Sequence, residues 1–194
     1  DPQTASVDQN GTVVLHRATG DGAPVTITVT ATASPDGNYN EKSTAYRLQI
    51  GKADPVIQSD DINSIYTGWA IEPEMYQTAI LAPGENGADD PNGPLTYQFY
   101  KTDTGAENET ESERIGAPSD VGEYWLRIDY DGNSNYLPAH KTVKVTIGNA
   151  SLDVTSIPYN EVYDGAQHPL SDQLVISGLG GAAVQLDSIK FIES

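Results

Sequence analysis

The sequence predicts an all-β protein, on the evidence of period-2 apolar patterning, abundant turn residues and few segments with helical periodicity. The 194 residues include 18 Gly and 12 Pro, and Asn-Gly and Asp-Gly pairs recur between the apolar runs. Such pairs favour the tight turns that join neighbouring strands. Short strands separated by frequent turns are typical of a β-sandwich or a β-barrel.

Three segments show the alternation most clearly. In residues 25–33 an apolar side chain occupies every second position with Thr between, and residues 124–130 and 141–147 alternate in the same way. Successive side chains of a strand point to opposite faces, so one set in each segment should be buried. We therefore expect a core formed by Tyr124, Leu126, Ile128, Val143, Val145 and Ile147.

Charge and composition exclude several classes of function. Ten Lys and Arg against 28 Asp and Glu give a net charge of −18, which phosphate backbones and anionic lipid surfaces would repel. We expect no nucleic-acid partner. No apolar run approaches the ~20 residues that a membrane helix needs, so we expect no membrane insertion. With no Cys, disulfide scaffolds, thiol catalysis and Cys-based zinc sites are excluded.

An internal repeat with an offset of 97 residues organises the chain. An Asn-Tyr pair stands at 38–39 and again at 135–136, and an Ile-Gly pair stands at 50–51 and again at 147–148. A motif centred on Tyr stands at 65–68 and again at 162–165. Fixed spacing of this kind indicates repeated structural units. It predicts the closing half of a unit in 1–52, a complete unit in 53–149 and the opening half of a further unit in 150–194.

The complete unit carries a long polar segment, residues 83–114. Its acidic stretches, at 85–90 and 103–113, are expected to be solvated loops, as runs of like charge usually are. The joints between units, at 51–53 and 148–150, are very short and should allow only limited bending.

The motifs resemble two kinds of bacterial surface domain. Residues 1–52 resemble the second half of a group 2 bacterial Ig-like domain, through VDQNGTV at 7–13, VTITVTA at 25–31 and AYRLQI at 45–50. Residues 53–149 are similar to the MBG-type tyrosine-glycine repeat domains, through IYTG at 65–68, DVGEYWL at 120–126 and VKVTI at 143–147. The VYDG at 162–165 would open another copy. The insertion at 83–114 departs from this pattern.

This resemblance implies Ig-like β-sandwich units in tandem on a secreted or wall-attached bacterial protein. The location would be extracellular, at the cell surface or in the medium. These families have no catalytic residues, so the resemblance carries none over, and we expect the chain not to be an enzyme.

Trp125 is the single candidate ligand-binding residue. If the even-numbered residues of 124–130 face the core, Trp125 and Arg127 face outward. An exposed Trp on a sheet can stack on a sugar ring or fill a pocket of a partner. Alternatively, Trp125 packs beneath the 83–114 insertion or against the next unit.

The two tyrosine motifs are interpreted as structural. Tyr66 and Tyr163 would each bury the ring and bond the hydroxyl to backbone, while Gly68 and Gly165 would supply a positive φ in the turn. Trp69 follows the first motif and is expected to cover a joint between units.

The sequence does not favour a metal site or a catalytic site. Residues 129–135 place oxygen side chains at alternate positions around a Gly, as calcium loops do, but the later bidentate Glu is missing. A plain turn is the favoured interpretation, with calcium as the alternative. His16, His140 and His168 stand far apart in sequence, which does not indicate a zinc site. We therefore expect no cofactor, no metal and no catalytic residue.

These observations predict a non-enzymatic stalk or adhesin segment of a bacterial cell-surface or secreted repeat protein. Its protein or glycan ligand is not identified by the sequence. The alternative is a carbohydrate-binding or accessory module of a secreted glycoside-degrading enzyme, with Trp125 as the platform.

The two incomplete units raise a further hypothesis of head-to-tail self-association, in which 150–194 of one molecule is completed by 1–52 of the next. Two other outcomes stay open. The end segments could be small self-contained β units, or 1–52 could fold with part of 53–149.

Overall fold

A computed structural model describes residues 4–20, 24–32, 37–85, 90–158, 160–168 and 174–178 of the chain. Within these ranges the protein is predominantly β, with thirteen strands, two short α-helices and one 3₁₀ turn. The all-β prediction is confirmed at this level. Neither of the helices in the described part has the length and apolar character needed to cross a membrane.

The strands are short and follow one another closely. In chain order they are β1 (Ala5–Val7), β2 (Val13–Leu15), β3 (Val25–Ala31), β4 (Lys42–Leu48), β5 (Pro55–Gln58), β6 (Ile62–Ile65), β7 (Ile80–Pro83), β8 (Leu95–Tyr100), β9 (Arg114–Ile115), β10 (Gly122–Tyr130), β11 (Ala139–Gly148), β12 (Leu152–Ser156) and β13 (Leu174–Gly178). The helical segments are α1 (Pro73–Tyr76), α2 (Asp103–Glu107) and the 3₁₀ turn Glu111–Glu113.

One sheet has five strands, in the order β6-β11-β10-β8-β9, and four further sheets have two strands each. The two-stranded sheets are β1-β2, β3-β4, β5-β7 and β12-β13, all antiparallel. By contrast, β6 pairs with β11 in parallel, in the register Ile62↔Val145 to Ile65↔Gly148. This parallel edge strand brings residues 62–65 beside the end of β11.

The chain divides into two compact units, and the predicted domain boundaries at 52 and 149 stay predictions. Unit 1 consists of 1–58, 79–96 and 128–141, and unit 2 of 59–78, 97–127 and 142–194. Among the buried apolar residues of unit 1 are Val25, Ile57, Ile128, Tyr130 and Tyr136. Those of unit 2 include Ile62, Ile71, Phe99, Tyr100, Leu126, Val143, Val145 and Ile147.

Five of the six predicted core residues are buried, which confirms the faces assigned to β10 and β11 at Leu126, Ile128, Val143, Val145 and Ile147. The prediction is wrong for Tyr124, which is half-buried. Its hydroxyl donates to the carbonyl oxygen of Asp120 at 3.0 Å near the start of β10. A tyrosine hydroxyl needs a polar partner, and this contact holds its tip at the surface.

The interpretation of the acidic stretches as solvated loops is wrong for the conformation of 103–113, although none of its acidic side chains is buried. This stretch forms α2 and the 3₁₀ turn, and Gly105 and Ala106 of α2 are buried. The 83–114 segment also contains β8, whose Phe99 and Tyr100 belong to the core. Residues 86–89 of the other acidic stretch, at 85–90, lie outside the described residues.

Candidate functional site

Trp125 is half-buried on β10, between the buried Leu126 and the half-buried Tyr124. The prediction that Arg127 faces outward is wrong, because Arg127 is buried on the same strand. A charged side chain is rarely buried unless it is paired, so its partners explain what covers this face.

Three acceptors from the segment around α2 hold the Arg127 guanidinium. Nη1 donates to the carbonyl oxygens of Ala106 and Glu107, at 3.1 and 3.0 Å. Nη2 donates to Oε1 of Glu109 at 2.8 Å, forming an ion pair. The last carbonyls of a helix lack partners within the helix, so Arg127 satisfies two of them while it neutralises a carboxylate.

The sequence around α2 explains why this segment adopts its shape. Thr102 caps the helix, because its Oγ1 accepts a hydrogen bond from the N–H of Gly105 at 3.0 Å. A Cβ at Gly105 would lie 2.8 Å from both Cβ of Glu113 and Oγ1 of Thr102, so a larger residue does not fit without a shift. Capping and close approach together place the carbonyls of α2 over Arg127.

A second arginine lies beside this segment. Arg114 donates from Nε to the hydroxyl of Tyr100 at 3.2 Å and pairs with Glu111 at 2.8 Å. The bond to Tyr100 is the main cause that raises the pKa of the Arg114 guanidinium. These contacts agree with the alternative that the insertion packs on this face of β10. A ligand-binding role for Trp125 stays a prediction.

The exposed tryptophan is Trp69, which the sequence interpretation assigned to a joint. Most of its surface is open to solvent. It follows Gly68, whose φ of 81° allows the chain to turn directly after β6. The N–H of Trp69 donates to Oγ1 of Thr67 at 3.3 Å, which fixes the backbone at this turn.

Trp69 borders a groove of about 260 Å³ in unit 2. Its lining combines apolar side chains with a few polar ones: Ile65, Trp69, Ala70, Ile71, Met75 and Ile147, with Ser64, Thr67 and Glu72. A mostly apolar groove with a small number of hydrogen-bonding groups suits an amphipathic ligand such as a sugar ring. The groove exists because the parallel pairing of β6 places residues 64–65 beside Ile147.

This groove was not predicted from the sequence, because a ligand-binding aromatic residue was expected to lie on a strand. The available signal was a Trp outside any alternating run, directly after a Tyr-Thr-Gly turn. No pattern in the sequence indicated the parallel pairing that brings β6 to β11.

The tyrosine motifs are structural in part. Gly68 and Gly165 both have a positive φ, of 81° and 74°, as predicted. Tyr66 is half-buried, but Tyr163 is almost fully exposed, so the prediction that its ring is buried is wrong. In the turn that follows Tyr163, the carboxylate of Asp164 accepts a hydrogen bond from the N–H of Ala166 at 2.8 Å. This bond is the main cause that lowers the pKa of Asp164, and the hydrogen bond with His168 lowers it further.

In the 129–135 segment, a side chain builds the turn. Oδ1 of Asn133 accepts from the N–H groups of Asn135 and Tyr136, at 2.8 and 2.9 Å, and Gly132 has a φ of 81°. One of the oxygens that a calcium loop would use is thus engaged with backbone. Over the described ranges, no group of three or more His, Asp or Glu side chains is arranged to hold a metal ion.

His16 and His168 have unrelated surroundings. His16, which follows β2, shares a hydrogen bond of 2.8 Å with the hydroxyl of Ser6 in β1. The His16 side chain is exposed, and Ser6 is half-buried. His168 contacts Asp164 at 3.0 Å. No carboxylate among the described residues bonds His16, so the Ser6–His16 contact lacks the third group that orients the base in a nucleophilic triad.

Comparison of this sequence with protein-family models and with curated proteins finds no match in either set.

Proposed function

We propose that the chain is a non-enzymatic stalk or adhesin segment of an extracellular bacterial protein, attached to the cell surface or secreted, and built from Ig-like β-sandwich units in tandem. Its role would be to space or present a binding region away from the cell. The observation that carries this proposal is the recurrence of strands at the offset of the sequence repeat.

The recurrence covers three pairs of strands. Adding 97 to the bounds of β3 gives 122–128, which lies within β10, and the same step takes β4 to 139–145, within β11. β5 becomes 152–155, which lies within β12. Moreover, β3 and β4 are sheet neighbours, as β10 and β11 are. Repeated strands in a repeated order support units that follow one another along the chain.

The charge and the short joints fit a spacer. A net charge of −18 favours solubility and an extended arrangement of successive units, since like charges repel. The three-residue joints at 51–53 and 148–150 would limit bending more than a long Gly/Ser linker does.

Force spectroscopy on the full chain tests the mechanical role. A complete unit at 53–149 should unfold in one step that releases about 97 residues, or roughly 340 Å of extended chain. Extension without a force peak, or a single step that releases a much longer segment, would contradict the proposal.

A second candidate function is carbohydrate binding, as a module of a secreted glycoside-degrading enzyme. The groove beside Trp69 favours it, because an exposed indole next to hydroxyl and carboxylate oxygens can stack on a sugar ring and bond its hydroxyls. Glycan-array screening of the full chain tests this function. Trp69→Ala should reduce any binding about thirtyfold or more, the size of a hot-spot truncation, whereas Trp125→Ala should retain it. The opposite result would make Trp125 the platform.

A further inference from the structure

The backbone that carries Trp69 is fixed on both sides of the indole. Oγ1 of Thr67 accepts from the N–H of Trp69 at 3.3 Å and donates to its carbonyl oxygen at 3.5 Å. Two residues later, the N–H of Ile71 donates to the carbonyl oxygen of Pro118 at 3.0 Å, and the Ile71 side chain is buried. The indole between these anchors is 75% exposed. A ligand in the groove therefore meets an aromatic side chain whose backbone is already in position, which lowers the ordering cost of binding.

Glu72 is the charged residue among the described residues that line the groove. It precedes α1 as the N-cap residue, but its side chain does not cap the helix. The side chain is exposed, and over the described ranges its carboxylate forms neither an ion pair nor a hydrogen bond. This carboxylate is therefore available to a ligand that lies against Trp69.

The sequence around the groove lacks cations. Residues 53–100, which include most of the lining, contain no Lys or Arg against eight Asp and Glu. On β11, which supplies Ile147, the cation closest along the strand is Lys144, whose Nζ pairs with Oε1 of Glu123 at 2.6 Å. A region with this balance of charge repels an anionic ligand and attracts a cationic one. Sugars that carry carboxylate or sulfate groups are therefore disfavoured.

The volume of the groove limits the ligand to a small ring. Binding sites for small molecules usually enclose ~300–1,000 Å³, and this groove has about 260 Å³. An exposed indole holds the apolar face of one sugar ring by stacking. A positive charge over the indole face is also attracted to its quadrupole, so a cationic sugar gains from Trp69 as well as from Glu72.

A rigid ring suits this groove better than the side chain of a basic peptide does. A Lys or Arg side chain offers the same charge but loses rotamer freedom when it is held in place. A sugar ring is preorganised and brings hydroxyl groups of its own. Ser64 donates its hydroxyl to the carbonyl oxygen of Ile65 at 3.3 Å, so the lone pairs of its oxygen can accept from a hydroxyl of the ring.

We propose that the groove beside Trp69 binds sugars that carry a free amino group, with the indole of Trp69 stacked on the ring and the carboxylate of Glu72 paired with the ammonium. A charged donor and a carboxylate form a stronger hydrogen bond than two neutral groups do, so this pair selects the amino sugar over its hydroxyl counterpart. This inference rests on carbohydrate binding, the second candidate function above, and names its class of ligand.

Isothermal titration calorimetry of the full chain with three β-1,4-linked sugar tetramers tests the proposal. The tetramers differ only at C2, where glucosamine carries an ammonium, N-acetylglucosamine an amide and glucose a hydroxyl. At about pH 6 the amine is protonated. The glucosamine tetramer should bind about five- to tenfold more tightly than the glucose tetramer, and about 1 M NaCl should reduce this preference because salt screens the ion pair. A galacturonate tetramer should bind more weakly than all three.

Variants of exposed residues separate the groove from the net charge of the protein. Glu72→Gln should lower the affinity for the glucosamine tetramer about five- to tenfold and bring the affinities for the glucosamine and glucose tetramers within about twofold of each other. Trp69→Ala should weaken the binding of both about thirtyfold or more. Glu74→Gln is the matched control, because it removes the same charge two residues away, outside the lining of the groove, and should keep the preference for the amine.

Equal affinities for the glucosamine and glucose tetramers would overturn the inference and leave carbohydrate binding standing. The same holds for a preference that Glu72→Gln and Glu74→Gln reduce equally, because net charge alone would then cause it. If tetralysine bound more tightly than the glucosamine tetramer and Trp69→Ala abolished its binding, the groove would be a site for a basic peptide instead. If no sugar bound, both this inference and the carbohydrate-binding function would fall, whereas the stalk role, which force spectroscopy tests, would stand.

Discussion

The guanidinium of Arg127 lies 2.8 Å from the carboxylate of Glu109, and this pair ties strand β10 to the chain that follows α2. Glu109 adopts a positive φ of 51°, which is uncommon for a residue other than Gly. The acidic stretch 103–113 is held on the sheet because the buried guanidinium of Arg127 bonds two carbonyls of α2 and the carboxylate of Glu109.

Arg127→Met should therefore destabilise the chain by about 2–4 kcal/mol, because two backbone carbonyls and a carboxylate lose a charged donor. Glu109→Gln should have a smaller effect, about 1–2 kcal/mol, since Glu109 is partly exposed and Arg127 keeps its two carbonyl partners. Urea unfolding monitored by Trp fluorescence measures both free energies.

The control for these variants is Glu111→Gln, which removes an exposed ion pair with Arg114. Surface pairs of this kind contribute little, so the unfolding curve should not move. If all three variants behaved alike, Arg127 would not be the residue that anchors α2.

Period-2 patterning was sufficient to place Leu126 and Val143 in a core, because strand geometry alone decides which side chains share a face. The same pattern predicted an exposed Arg127, whereas this side chain is buried. Its burial depends on acceptors some 20 residues earlier in the chain. Local sequence contains no information about that distant partner. The helical form of 103–107 was missed for a related reason, because a five-residue helix is too short to show periodicity.

The groove at Trp69 also could not be predicted from local sequence. It requires β6 to pair in parallel with β11, some 80 residues later in the chain. Turn chemistry, by contrast, was predictable: Gly68 and Gly165 both have the positive φ that was predicted for them.

A pair of equivalent substitutions should separate a buried position from its exposed counterpart. Leu126→Ala should destabilise the chain by about 2–5 kcal/mol, the range for truncation of a fully buried Leu. Val29→Ala, at the position 97 residues earlier, should change the stability of the monomer by less than ~1 kcal/mol, because half of Val29 is exposed. Chemical denaturation at low protein concentration measures both. A loss below ~0.5 kcal/mol for Leu126→Ala would invert the assigned faces of β10.

The turn at 129–135 should depend on its glycine. A Cβ at Gly132 would lie 2.8 Å from the backbone nitrogen of Pro138 and from the carbonyl oxygen of Tyr136, and φ is 81°. Gly132→Ala should therefore destabilise the chain by at least ~1–3 kcal/mol. Gly116→Ala is the matched control, since nothing lies within 4 Å of the added Cβ there, and it should be neutral within ~0.5 kcal/mol. Thermal melts of the two variants provide the comparison.

The same turn should not require calcium. Asn133 directs its side-chain oxygen to two backbone N–H groups, which leaves an incomplete ligand set. Thermal melts recorded with excess EDTA and with millimolar calcium should superimpose. A lower melting temperature in EDTA would show that an ion stabilises the native state and would make this turn a structural metal site.

Alkaline pH should destabilise the chain through Tyr130. Its ring is buried and its hydroxyl donates to the carbonyl oxygen of Asn92 at 3.2 Å. Burial is the main cause that raises the pKa of Tyr130 above its ordinary value of 10.0, because the phenolate would lose its hydration. The folded state thus holds this proton more tightly than the unfolded state does. The stability that it contributes is fully present below about pH 10 and is lost as pH rises through the higher pKa of the folded state.

Tyr130→Phe should lower the unfolding free energy at pH 7 by about 0.5–1.5 kcal/mol, because the bond to Asn92 is lost. It should also flatten the decline above pH 10, since the titrating group is gone. Tyr39→Phe is the control, because the Tyr39 side chain is exposed and its hydroxyl contributes little to folding. Urea unfolding at several pH values between 7 and 11.5 gives the slopes. If Tyr130→Phe and the unchanged chain declined in parallel above pH 10, another group would be responsible for the alkaline loss.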